Sequence, residues 1–255
     1  VQPCALPIST TFTENLLGVY PLSSPIYWLT GNGLLAYNLP LFLTWPLAGT
    51  SMFLLVWLLT RRHDAAFLAG LAFAFTPYRG VALAHMQTVA TFGVPLALAG
   101  LHGYLESGRR RWLVLFALAW AQTGLANGYY ILYGGLAFSW WLLYFCSTQD
   151  RFRRVAPVLV AWFVGSIPIF PILWHYRSVH NALGLHRSLF EILYFSASPG
   201  SWFEVGDSVW FWRHVLPNGK DNMFPGLTAI VVALAGVLLA LQRASVADRD
   251  MASAN

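Results

Sequence analysis

Charge is what this sequence has least of. Only 10% of its 255 residues are Asp, Glu, Lys or Arg, against roughly a quarter in a soluble domain. So few ionisable groups could hardly cover a soluble surface of this size, and a water-soluble enzyme is disfavoured from the outset. Cysteine is also scarce. Cys4 and Cys146 sit in unrelated settings, which leaves no disulfide framework and no metal-ligand spacing. Soluble-enzyme signatures are missing: there is no Walker loop, no G-x-G-x-x-G, no H-E-x-x-H and no G-x-S-x-G. None of the ten acidic residues falls within an apolar run, which argues against an ion-coupled transporter, because such proteins need a carboxylate at membrane depth. The opening residues lack a basic stretch followed by an apolar core, so no signal peptide is read. The chain reads as starting inside a longer protein, with Val1 to Ser9 not native to it.

What is present is hydrophobic bulk, 57% of residues, with 16% aromatic. The net charge of +5 does not point to nucleic acid, because the arginines form short clusters between apolar runs instead of one basic face. Thr10 to Gly33 mixes aromatics with Pro21, Pro25 and a Gly31-Asn32-Gly33 turn, and reads as loop or interfacial segment. Leu34 to Leu59 carries no charge and is long enough to cross a bilayer, with kinks expected at Pro40 and Pro46. Ala65 to Phe75 is too short to cross alone. Further apolar runs cover Thr88 to Leu105, Trp112 to Ala126, Tyr129 to Phe145 with Asn127-Gly128 as the turn before it, Val155 to Trp174, and Met223 to Gln242.

These boundaries predict an all-α, polytopic integral membrane helical bundle of about seven spans with a long outer loop. Residues 1–33 form an outer loop and interfacial segment, 34–174 the transmembrane bundle, 175–222 the outer loop, 223–242 a last transmembrane helix and 243–255 a cytoplasmic tail. Counting alternate loops puts ten of the 15 basic residues on one side, including every tight cluster: Arg61-Arg62, Arg109 to Arg111, and Arg151 with Arg153-Arg154. The positive-inside rule makes that side cytoplasmic and the Pro77 break an outer feature.

The candidate functional residues lie on the outer side. Phe73 to Arg79, followed by His85-Met86-Gln87, sets an arginine, a histidine and a glutamine beside a helix-disturbing proline in a long apolar stretch. Such groups are expected to line a water-accessible cavity and meet an anion, most simply a phosphate. Arg187, Glu191 and Glu14 join them on the same face. Each also has a plainer reading. Arg79 suits an interfacial arginine bonding helix-end carbonyls, His85 and Gln87 suit satisfaction of backbone groups freed by Pro77, and Arg187 with Glu191 suits an i, i+4 helix pair. Gln122 and Thr123 are expected to bond a neighbouring helix.

Several segments taken together carry a family resemblance: Thr13-Glu14-Asn15-Leu16-Leu17-Gly18, Ala36-Tyr37-Asn38-Leu39, Phe73 to Arg79 with His85 and Gln87, Asn127-Gly128-Tyr129-Tyr130, Arg187 with Glu191-x-x-Tyr194-Phe195-Ser196-Ala197, and Phe224-Pro225-Gly226-Leu227. In this order they resemble bacterial multi-pass proteins of the GT-C glycosyltransferase superfamily, from Thr10 to Gln242. The resemblance implies an enzyme of the bacterial inner membrane that moves a sugar from a polyprenyl-phosphate donor to an acceptor at the outer face. It implies a functional acid in the first outer loop, and Glu14 is the acidic residue available there. Glu14 would then be the base, or a carboxylate orienting a divalent metal. Arg79 and Arg187 would bind donor phosphate, and His85, Gln87 and Glu191 would shape the pocket. The competing class is a non-enzymatic lipid-handling or flipping protein that uses the same cationic cavity to hold a headgroup.

Overall fold

In the computed structural model the chain is all-helical. The structure describes residues 16–146, 152–184, 188–207, 209–219, 221 and 223–253, with the side chains of 81 and 243–253 excepted. The described residues hold twelve α-helices, three 3-10 turns and no strand, with one isolated bridge between Val205 and Asn218. They fall into two compact units, one of residues up to 75 together with 82–195, the other of 76–81 together with 196 onward.

The first unit opens with α1, Tyr20–Thr30, which the prolines would have made a loop. Pro21 sits in the first turn, where its missing N–H is not needed, and Pro25 is exposed. Gly31 at φ +64 ends the helix in the left-handed conformation. Asn32 then caps α2, Gly33–Thr60, by accepting from Leu35 N at 3.1 Å. That helix runs on through Pro40 and Pro46 for 28 residues, about 42 Å at 1.5 Å per residue.

Helix α3, His63–Ala74, packs back along α2. Gly49 and Gly70 let the two backbones touch: a Cβ on Gly70 would lie 2.7 Å from the Gly49 carbonyl oxygen. Ala74 meets Gly49, so α3 ends level with the middle of α2. Residues 77–81 form the short helix α4, which belongs to the second unit. The first unit resumes with a 3-10 turn at Ala82–Ala84 and the short helix α5, Met86–Val89. Next come α6 (Gly93–Ser107), α7 (Arg110–Ala126), α8 (Tyr129–Phe145), α9 (Val155–Ser166), α10 (Phe170–Leu183) and α11 (Leu189–Phe195).

Its core is aromatic. Phe116, Trp120, Phe138 and Trp162 meet edge to face, with ring centroids 5.4–6.2 Å apart. Glycines again set the helix spacing: Gly100 of α6 faces the Phe116 backbone, and Gly165 of α9 faces Ala117. Trp120 Nε1 donates to Ser166 Oγ at 2.7 Å, which satisfies a buried indole where α9 stops. The α9–α10 pair bends by 54°, in the segment that carries Pro168 and Pro171. The expected bonds from Gln122 and Thr123 to a neighbouring helix are not made. Thr123 Oγ1 donates within its own helix to Ala119 O at 2.7 Å, and both amide atoms of Gln122 are buried without a hydrogen-bond partner among the described residues. The Gln122 amide lies against Gly93, where an added Cβ would sit 2.0 Å from Oε1.

The arginine loops gather at one end of this unit. Leu55 and Leu58, near the close of α2, pack on Ala99 and Trp112. Arg154 NH1 donates to Leu105 O at 2.7 Å and Tyr104 O at 3.3 Å, closing the C-terminus of α6. Arg61 lies over the Trp57 ring at 4.9 Å and Arg111 over Trp112 at 5.4 Å. Arg62 and Asp64 form a bidentate ion pair in the α2–α3 turn. The guanidinium hydrogen bond holds the Asp64 carboxyl at about 2, below its ordinary 3.8.

The second unit contains α4, the 3-10 turns Pro199–Phe203 and Trp212–His214, and α12, Leu227–Ser253. It has a small core of its own, with Ser201, Val205 and Phe224 buried. Ser201 Oγ donates to Asp221 Oδ2 at 2.6 Å, and Asn218 Nδ2 to Asp207 Oδ1 at 2.6 Å.

Among the described residues two helices, Gly33–Thr60 and Met86–Ser107 taken through its break at 90–92, are long and apolar enough to cross a membrane; a third counts if the bent α9–α10 pair is one span. Helices α7 and α8 have 17 residues each, about 25 Å. The segment expected as outer loop is substantially helical, because α10 continues to Leu183 and α11 follows. The segment expected as a tail continues α12 to Ser253.

Candidate functional site

At the end of the first unit remote from the arginine loops, the chain around Gly18 is pinned to the finish of α7. Gly18 N donates to Leu125 O at 2.9 Å, and a Cβ there would collide with the Gln122 carbonyl oxygen at 2.2 Å. Val19, Met86, Ala90 and Ala126 form a buried cluster beneath it. Asn127 Oδ1 accepts from Tyr129 N at 2.9 Å, and Tyr130 OH donates to Thr88 O at 2.7 Å, so the Asn-Gly-Tyr-Tyr run fixes the backbone of α5.

Above this floor lies a cleft of about 340 Å³, with Tyr20, Ser24 and Tyr27 of α1 facing Ala36 and Tyr37 of α2. Tyr20 and Trp28 meet edge to face at 6.5 Å. Aromatic faces interleaved with serine hydroxyls suit a ligand with both apolar and hydroxylated surfaces. The described lining carries no carboxylate.

His85 and Gln87 flank Met86, which lines this cleft. His85 is exposed and starts α5 without a side-chain cap bond. Its carbonyl accepts from Thr88 N at 2.8 Å, so its backbone, not its ring, meets the local demand that the proline reading assigned to it. Gln87 is half-buried. Arg79 is 2% exposed and lies in the second unit, together with Glu204, Asp207 and Asp221. Glu191 is exposed, and its Oε2 accepts from Ser188 N at 2.9 Å while Ser188 Oγ accepts from Glu191 N at 3.2 Å. That is a capping box at the start of α11, so the carboxylate serves its own helix. Glu14 and Arg187 lie outside the described residues. Among the described residues no three His, Cys, Asp or Glu side chains gather as a metal site.

Sequence reasoning missed the cleft. Its signal was present: Tyr20, Ser23, Ser24 and Tyr27 follow the i, i+3, i+4, i+7 spacing of one helix face, but Pro21 and Pro25 masked the helix. A second groove, about 440 Å³ and almost wholly apolar, runs between α2 and α3 with Trp45, Phe53, Phe67 and Phe75 along it.

No protein-family model, curated protein or solved structure matches this chain. Fold and site therefore define an all-helical protein with two or three membrane-length helices and an aromatic cleft at the end opposite its cationic loops.

Proposed function

We propose that this is a multi-pass protein of the bacterial inner membrane that transfers a sugar from a polyprenyl-phosphate donor to an acceptor at the outer face. In this reading α2, the run from α3 through the break at 77–79 to Ala84, α5 with α6, α7, α8, the α9–α10 pair and α12 supply seven crossings, with the arginine loops cytoplasmic. The observation that carries the proposal is the separation of the two ends of the first unit: cationic loops at one, the Tyr–Ser cleft with His85 and Gln87 beside it at the other.

The chemistry is a single displacement. Glu14 takes the proton of the acceptor hydroxyl as that oxygen attacks the anomeric carbon, and the bond from that carbon to the donor phosphate oxygen breaks. Polyprenyl phosphate leaves with its charge held by Arg79 and Arg187. Within the first unit, His85 and Gln87 border the Tyr–Ser cleft, whose lining suits a hydroxylated ligand.

A non-enzymatic lipid-handling role is the second reading, favoured by the apolar groove between α2 and α3, whose aromatic lining suits a hydrocarbon chain. Incubating the protein with labelled polyprenyl-phosphate sugar separates the two. Transfer releases polyprenyl phosphate, whereas handling moves the intact lipid and releases none.

A further inference from the structure

The second unit spends its polar groups on one another. Ser201 bonds Asp221, Asn218 bonds Asp207, and Arg213 NH1 donates to Asp207 O at 3.3 Å. On the surface of residues 202–215, Trp202, Phe203, Trp210, Phe211 and Val215 are 53–73% exposed, interspersed with exposed Asp207, Arg213 and His214. With 150–250 Å² per aromatic side chain, the four rings alone expose on the order of 400–500 Å², as much as the largest apolar patch of an ordinary soluble monomer. These residues are not core that failed to bury, because the unit has its own core in Ser201, Val205 and Phe224.

The same unit contains α12, and Leu227–Gln242 is its apolar stretch, about 24 Å long and exposed from Val231 to Gln242. The helix leaves the turn segment at Gly226, whose φ of +96 sets a sharp exit. Met223 N donates to Ser201 O and Phe224 N to Glu204 O, both at 3.2 Å, which ties the turn segment to the start of α12. A segment so tied to a lipid-embedded helix lies at headgroup depth, where tryptophan and phenylalanine are favoured and Arg213 and His214, both exposed, meet anionic lipid.

We propose that residues 202–215 form a membrane-docking surface, in which the Trp202-Phe203 and Trp210-Phe211 pairs insert into the interface of the leaflet next to the start of α12. The unit is thereby held down on the bilayer instead of standing in water. This rests on α12 being a span and not on sugar transfer, so the two readings fail separately.

The test uses the whole chain in nanodiscs of phosphatidylcholine and phosphatidylglycerol, with Cys4→Ser and Cys146→Ser as background. Nitroxide labels go at Phe203→Cys, Trp210→Cys and, as an aqueous reference, Asn218→Cys. The expected result is that positions 203 and 210 relax with oxygen and are several-fold less accessible to a water-soluble nickel chelate than position 218. Equal nickel accessibility at all three positions overturns the proposal, as does spin coupling between copies at position 210, which would make the patch a self-association surface. Brominated-lipid quenching of tryptophan fluorescence provides a second readout that needs no cysteine in the turn. Trp202→Phe and Trp210→Phe should each remove part of the quenchable signal, and no change in either variant also overturns it.

Discussion

Replacing Arg154 with alanine removes the group that closes the C-terminus of α6. Its NH1 donates to Leu105 O at 2.7 Å and Tyr104 O at 3.3 Å, and its guanidinium carbon lies 3.5 Å from where a Cβ on Gly108 would be. Gly108, at φ +67, ends the helix in the left-handed conformation. The last carbonyls of a helix have no partner within it, and a cation there also meets the negative end of the helix dipole. A hydrogen bond from a charged donor is worth roughly 1.5–3 kcal/mol. The longer contact adds little and the side chain is only half-buried, so the expected loss is about 2 kcal/mol after allowance for screening. For a chain of this size that lowers Tm by about 4–8 °C, read from thermal unfolding of the purified protein in detergent. Arg154→Lys keeps the charge but not the planar fork and should recover only part of the loss. An unchanged Tm in Arg154→Ala would refute the claim that this arginine ties the 152–154 segment to the end of α6, and would weaken the grouping of cationic loops at one end.

Four further outcomes follow from the geometry. Gly100→Ala and Gly165→Ala push a Cβ to 2.6 Å from neighbouring backbone and should each cost about 1–3 kcal/mol in thermal or denaturant unfolding, whereas Gly236→Ala, with nothing within 4 Å, should be neutral or stabilising by up to about 1 kcal/mol. The Asp64 carboxyl, held at about 2 against an ordinary 3.8, should titrate by NMR with a depressed midpoint. The pair's contribution is complete above the ordinary value and lost as pH falls through the depressed one, and Arg62→Ala should return the midpoint towards the ordinary value. Arg79→Ala should cut sugar transfer about tenfold or more, because losing a charged phosphate contact costs roughly 1.5–3 kcal/mol; transfer at the wild-type rate removes Arg79 from the mechanism. Ser201→Ala takes the hydroxyl from Asp221 and should speed limited proteolysis between residues 196 and 226, with no effect on the melting of the first unit.

Much of the first unit was legible in the pattern of charge and apolar runs. The Arg61–Arg62 and Arg109–Arg111 clusters mark helix ends, and Asn127-Gly128 turns the chain where expected, because polar and glycine-rich breaks terminate apolar helices in any setting. Helix α1 was not, since proline was weighed as a breaker without regard to its first-turn position. The Glu191 carboxylate was read as a site residue although Ser188-x-x-Glu191 carries a capping-box signature, which a search for charged groups passes over. The grouping of 76–81 with the chain beyond 196 has no local signal. More than a hundred residues separate the two stretches, and periodicity reports only which face of an element is apolar, not what covers it.

The central claim is sugar transfer at the end opposite the arginine loops, and the most direct measurement is in proteoliposomes, with a polyprenyl-phosphate donor carrying a radiolabelled sugar supplied to the outer face. The account predicts acceptor-dependent release of polyprenyl phosphate, lost when Glu14 is replaced by glutamine. Binding of the donor with no release, at wild-type Glu14 and with acceptor present, would contradict it and leave a protein that holds lipid without reacting it.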